Sequence, residues 1–124
     1  MKFKPFDVPA YPVDIREWNC FEDDPNGGEP IRYEQCYVRP LNVMEWSEFT
    51  KLASTRESDD SDLSLARIAV RFALKDDKEG KPMFTSADLE DIARNDNRPA
   101  VRIRNKLLEI NTIPRDEMER LEKN

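Results

Sequence analysis

The stretch Asp62-Leu-Ser-Leu-Ala-Arg-Ile-Ala-Val-Arg-Phe-Ala-Leu-Lys75 holds the densest apolar run in an otherwise charged chain. Leu65, Ile68, Ala69, Phe72 and Ala73 recur at steps of three and four, which places them on one face of an α-helix. Ser64, Arg67, Arg71 and Lys75 form a polar stripe opposite, and Leu63, Val70 and Leu74 widen the apolar face. A helix wrapped on most sides belongs at the centre of a fold. Spanning 62–75 it would extend about 21 Å, enough to cross a small domain. Burying its large side chains supplies on the order of 9–18 kcal/mol as an upper bound. The spacing therefore predicts a central core helix.

Upstream, Ser54–Asp62 is a polar, acidic linker that would also cap this helix. Its aspartates lack the glycine and terminal glutamate of an EF-hand, so they read as a solvated loop. Before the linker, Leu41-Asn-Val-Met-Glu-Trp46 specifies a helix start. Asn42 is placed to N-cap, Glu45 sits at N3, and Leu41 and Trp46 occupy the two positions of a hydrophobic staple. Pro40 forces Arg39 towards extended geometry. The helix should run over 43–54 with Trp46, Phe49 and Ala53 inward. Earlier still, 13–21 and 31–38 are rich in β-branched and aromatic residues and flank Asp23-Asp-Pro-Asn-Gly-Gly-Glu-Pro30, which predicts a β-hairpin. A hairpin centred near Gly28 would set Cys20 opposite Cys36. Residues 1–12 carry Pro5, Pro9 and Pro12, which suit neither a helix nor a central strand, and read as an extended arm. Phe3, Phe6, Val8 and Tyr11 would pin that arm to its own domain or to a neighbour.

Downstream, Asp76-Asp-Lys-Glu-Gly-Lys-Pro-Met-Phe84 is a tight turn with Gly80 at its tip. Thr85 and Asp88 then make a second cap, with Phe84 and Leu89 as its staple. A short helix follows to about Arg94, with Leu89, Ile92 and Ala93 inward. Asn95-Asp-Asn97 breaks it, and Pro99 suits the first turn of a helix reaching about Ile110. Ala100, Ile103, Leu107 and Ile110 form the stripe of that helix, flanked by Val101 and Leu108. Residues 114–124 form a charged tail whose Met118 and Leu121 support only a weak helix. These elements predict an α+β fold: a mainly helical single domain over 13–113, with four to five helices and an N-terminal β-hairpin.

With 124 residues the chain suits one domain, and 37% charged residues with a net charge of -6 make it acidic and self-solubilising. No histidine occurs, which removes the commonest general base and metal ligand. Two cysteines without CxxC spacing give no zinc signature. No phosphate loop, nucleophile elbow or H-E-x-x-H motif is present. The expectation is a protein without catalytic, cofactor-binding or metal-binding residues. No signal peptide, membrane span or lipidation motif is recognised, so a cytoplasmic protein with reduced thiols is expected. Nucleic acid is the site-like alternative, because the helix pair at 86–110 has a helix-turn-helix outline. Arg94, Arg98, Arg102, Arg104 and Lys106 also make that part locally basic. Against it, the second helix spends its best positions on leucine and isoleucine, and the rest of the chain would repel phosphate.

Several junctions carry a resemblance. Tyr37-Val-Arg-Pro-Leu-Asn42 leads into a helix with an aromatic, and an apolar helix follows at 63–75. Then come the Asp77-Lys-Glu-Gly-Lys-Pro-Met-Phe-Thr85 turn, Ala87-Asp-Leu-Glu-Asp-Ile92, Leu107-Leu-Glu-Ile-Asn111 and Glu122-Lys-Asn124. Over about residues 37–124 the chain resembles the tail assembly chaperones of long-tailed (siphovirus-type) bacteriophages and prophages. Thr112 stands where many such proteins have glycine, and residues 1–36 are longer than usual. The resemblance implies a non-enzymatic chaperone of the host cytoplasm that is absent from the mature virion. Its partners would be the tape measure protein, which it keeps soluble, and the major tail protein, reached through a frameshifted, longer form. Self-association along the client would add avidity. The alternatives are a small DNA-binding regulator and a minor structural tail component. Candidate partner-binding residues are Phe3, Phe6 and Tyr11 on the arm, Trp46 and Phe49 (whose other reading is core packing), and the basic side formed by Arg98, Arg102 and Lys106.

Overall fold

The hairpin is built in two pieces. Strand β1 (Tyr11–Asp14) pairs antiparallel with β4 (Gln35–Val38), and β2 (Cys20–Glu22) pairs with β3 (Ile31–Tyr33). Between the pieces, residues 15–19 face Glu34 alone, whose carbonyl accepts from Ile15 N at 2.9 Å. The excess is taken up by a 3-10 turn, Arg16–Trp18. Asp14 opens it, accepting from Arg16 N at 3.0 Å, and Asn19 closes it at φ 49°. Asparagine is among the few residues that enter the left-handed region at low cost. This outsized bulge moves the register, so Cys20 lies opposite Tyr33 and Cys36 opposite Val13. The expected juxtaposition of the two cysteines is corrected accordingly: it assumed one uninterrupted ladder. Strand β1 also takes in Tyr11 and Pro12, which had been assigned to the arm. A proline is compatible with a strand whose other side is an open edge.

The computed structural model describes residues 1–54 and 63–112. After the hairpin come α1 (Val43–Ala53), α2 (Ser64–Phe72), α3 (Leu89–Ala93, entered through a 3-10 turn at Ser86–Asp88) and α4 (Asn97–Asn111). The described chain is thus α+β and mainly helical. The predicted cap of α1 is present: Asn42 Oδ1 accepts from Glu45 N at 2.8 Å, and Glu45 Oε1 accepts from Asn42 N at 3.1 Å. Asp88 Oδ2 accepts from Thr85 N at 2.8 Å, and Asp96 caps α4 by accepting from Arg98 N at 2.9 Å. The acidic cap proposed for α2 and the charged C-terminal tail lie outside the described residues.

Helix α2 is shorter than its apolar pattern. It stops at Phe72 because Leu74 has other backbone partners: Leu74 N donates to Tyr37 O at 2.8 Å, and Leu74 O accepts from Tyr37 N at 2.9 Å. Leu74 also bridges to Pro82, which adds short extended rungs beside β4. Two hydrogen bonds to a fixed strand outweigh the few tenths of a kcal/mol by which one more helical residue is favoured. The position of α2 is as expected. It packs against α1, α3 and α4, and Ala66, Ile68, Ala69, Phe72 and Ala73 are buried. Ile15 and Val38 from the hairpin, Phe49 from α1, and Ile103 and Leu107 from α4 complete the core. Phe49 and Phe72 meet edge to face with centroids 5.9 Å apart.

Candidate partner-binding surface

The strand-to-helix junction and the turn after α2 face each other. Arg39 follows directly after β4, and its guanidinium lies against Gly80. Arg39 Nη2 donates to Asp77 O at 3.0 Å. The turn is held from inside by Asp76, whose Oδ1 accepts from the backbone N–H groups of Lys78 (3.0 Å), Glu79 and Gly80 (3.1 Å). Those N–H groups keep the Asp76 carboxyl below its ordinary range against the opposing effect of burial, the largest single influence on it. Gly80 has φ 65°, and a Cβ there would lie 2.7 Å from Arg39 Nη1. The left-handed φ is what calls for glycine here, while a Cβ would only have to displace the end of the Arg39 side chain.

Between these two segments opens a cavity of about 310 Å³, walled by Leu41, Phe72, Leu74 and Pro82. Arg39, Arg71 and Glu45 add polar atoms to the lining, and Phe6, Asp7 and Val8 of the arm cover it. Arg39 Nε is buried without an acceptor among the described residues. Arg71 is held by Glu48 at 2.7 Å. In and around the groove, the arm and the start of α1 leave large apolar side chains in water: Phe3 is 89% exposed, Phe6 59%, Val43 86% and Met44 77%. Exposed apolar residues of this kind on a charged surface are what a protein partner covers.

The residues singled out from the sequence fall into three groups. Phe3 and Phe6 are exposed on the arm. Tyr11 is part-buried in β1 with the Lys106 ammonium 5.6 Å from its ring centroid. Trp46 is part-buried beside Phe49 at a centroid distance of 5.4 Å, while Phe49 is fully buried and serves the core. The basic side of α4 is tied into the fold. Arg102 grips the Glu17 carboxylate with both terminal nitrogens, at 2.6 and 2.5 Å, and Arg98 pairs with Asp96 at 2.6 Å. Lys106 reaches Glu109 at 3.3 Å, and Arg94 reaches Glu90 at 3.9 Å. The Arg102 guanidinium holds the Glu17 carboxyl below its usual range, and Arg98 holds that of Asp96 at about 2. These arginines clamp the 3-10 turn of the hairpin to α4 and present little free charge.

The chemistry of the described residues is otherwise quiet. Burial pushes the Cys36 thiol up to about 12 and that of Cys20 upward, so neither is a ready thiolate. Tyr33 OH donates to the Glu22 carboxylate, which also takes Lys75 Nζ at 2.9 Å, and Tyr33 is raised to about 12 by that bond. Among the described residues no group of three or more Cys, Asp or Glu is placed to hold a metal ion. None of the described helices is long and apolar enough to cross a membrane. No family model, curated protein or solved structure matches the chain.

Sequence reasoning missed the groove as a site. Arg39 and Gly80 were each noted for local backbone geometry, and nothing local says that they touch. Val43 and Met44 had a readable signal: two apolar residues directly after an N-cap and outside the inward set of Trp46, Phe49 and Ala53.

Proposed function

We propose that this protein is a non-enzymatic tail assembly chaperone of a long-tailed bacteriophage or prophage. In this reading it binds the tape measure protein in the host cytoplasm, keeps it soluble, and is left out of the mature virion. A frameshifted, longer form would bring in the major tail protein. One observation carries the reading beyond the sequence resemblance. The two stretches that bear the most specific part of that resemblance, 37–42 and 77–85, form one unit, joined by Arg39 against Gly80 and by the Tyr37, Leu74 and Pro82 rungs. That unit frames a groove with apolar walls, and exposed Phe3, Val43 and Met44 add apolar surface to an acidic exterior. A chaperone for a helical client needs such surface and net charge.

The DNA-binding alternative has less support, because Arg98, Arg102 and Lys106 of α4 are spent on carboxylates of the same chain. The deciding experiment is co-expression with the long, coiled-coil-rich protein encoded just downstream. Its soluble fraction is expected to rise, and the two chains should co-purify. An insoluble client with no complex would remove the proposal. A salt-dependent shift of a DNA fragment would favour the regulator, and recovery of the protein from purified particles the structural component.

A further inference from the structure

We propose that the N-terminal arm is exchangeable: in the self-associated protein, Pro5-Phe-Asp-Val-Pro9 of one copy docks in the junction groove of a second copy. The groove already suits this segment, since Phe6, Asp7 and Val8 line it within one chain. Held that way, the fit is incomplete. Residues 1–10 make no hydrogen bond or ion pair among the described residues, and Phe6 remains 59% exposed. Asp7 brings an unpaired carboxylate to the same cavity in which Arg39 has only carbonyl partners and a buried Nε without an acceptor. The two charges are complementary and unmatched.

The tether explains the mismatch. Within one chain the arm is joined to β1 at Tyr11, four residues after Asp7, which limits its reach along the groove. An arm arriving from a second copy has no such constraint and can set Asp7 against Arg39. Phe3, three residues earlier and about 10 Å along an extended chain, then reaches apolar surface outside the groove. Val43 and Met44, just past Leu41 of the groove wall, supply it. Pro5 and Pro9 fix φ at both ends of the docking segment, which lowers the ordering cost of binding. Ten residues reach at most about 33–36 Å, against a radius of gyration of about 14 Å for a chain of this length, so the arm can span to a neighbour. The apolar part of the contact is common to both states, which keeps the cost of exchange low.

The test uses the full chain alone, so its result is separate from client solubilisation. Phe6 is replaced by the photo-cross-linker benzoylphenylalanine in natural-abundance and 15N-labelled preparations. The two are mixed, unfolded and refolded together, with recovery of circular dichroism as the check, and irradiated at high concentration. Exchange predicts cross-links from position 6 to residues 39–41 or 71–82, with mixed-isotope pairs as abundant as same-isotope pairs. Only same-isotope pairs, or cross-links outside the groove, would overturn it. In parallel, Asp7→Arg and Phe6→Ser are expected to lower the mass measured by light scattering without changing the circular dichroism. An oligomer that survives both substitutions would equally sink the proposal.

Discussion

The inner and outer halves of the hairpin have similar compositions and opposite fates. The inner half, β1 with β4, buries Val13, Cys36 and Val38 against the helices, and Ile15 follows them into the core. The outer half, β2 with β3, leaves Phe21 and Ile31 exposed. The 3-10 turn between them makes the difference. It carries Trp18 into the core, where the indole Nε1–H donates to Asp96 O at 2.7 Å, and it presents Glu17 to Arg102. Burial along a ribbon is therefore decided by where the ribbon is fastened, and β propensity alone does not reveal the fastening point.

The largest test of this contrast is Ile15→Ala, which removes a fully buried side chain at the end of the inner half. It should cost about 2–5 kcal/mol in urea unfolding. Trp18→Phe keeps most of the packing but strands the Asp96 carbonyl, and should cost about 1–3 kcal/mol by the same measurement. The clamp should also appear in acid. Glu17 and Asp96 have folded pKa values below their unfolded ones, so their contribution is fully present above the ordinary carboxylate range and is lost as pH falls through the depressed values. The melting temperature of Glu17→Gln should accordingly fall less between about pH 5 and pH 2 than that of the parent. The smallest effect is expected of Phe21→Ser in the outer half, within about 0.5 kcal/mol. A loss there as large as that of Ile15→Ala would erase the distinction between the halves.

The same contrast measures what the sequence made legible. Caps were readable because their chemistry is local: Asn42 with Glu45, and Thr85 with Asp88, sit three residues apart. The centrality of α2 was readable because its apolar face is unusually wide. Its length was overestimated, since the strand that captures Leu74 lies far upstream at Tyr37. The break in the hairpin was hidden inside Ile15-Arg-Glu-Trp-Asn-Cys20, where isoleucine and tryptophan suit a strand. Asp14 and Asn19, the two turn formers at its ends, were its only marks. For the candidate surface, the exposed arm phenylalanines were legible, as was the alternative of core packing that Phe49 adopts. The basic side of α4 was read as a free face because its main counter-charge, Glu17, comes from the other end of the chain.

The contact of Arg39 with Gly80 has an evolutionary consequence. A side chain at position 80 would strain the left-handed φ and displace the guanidinium, while loss of Arg39 would leave the carbonyl of Asp77 without its donor. The strand exit and the turn therefore hold one inherited instruction written in two places. Among chains descended from a common ancestor, positions 39 and 80 should change together or not at all.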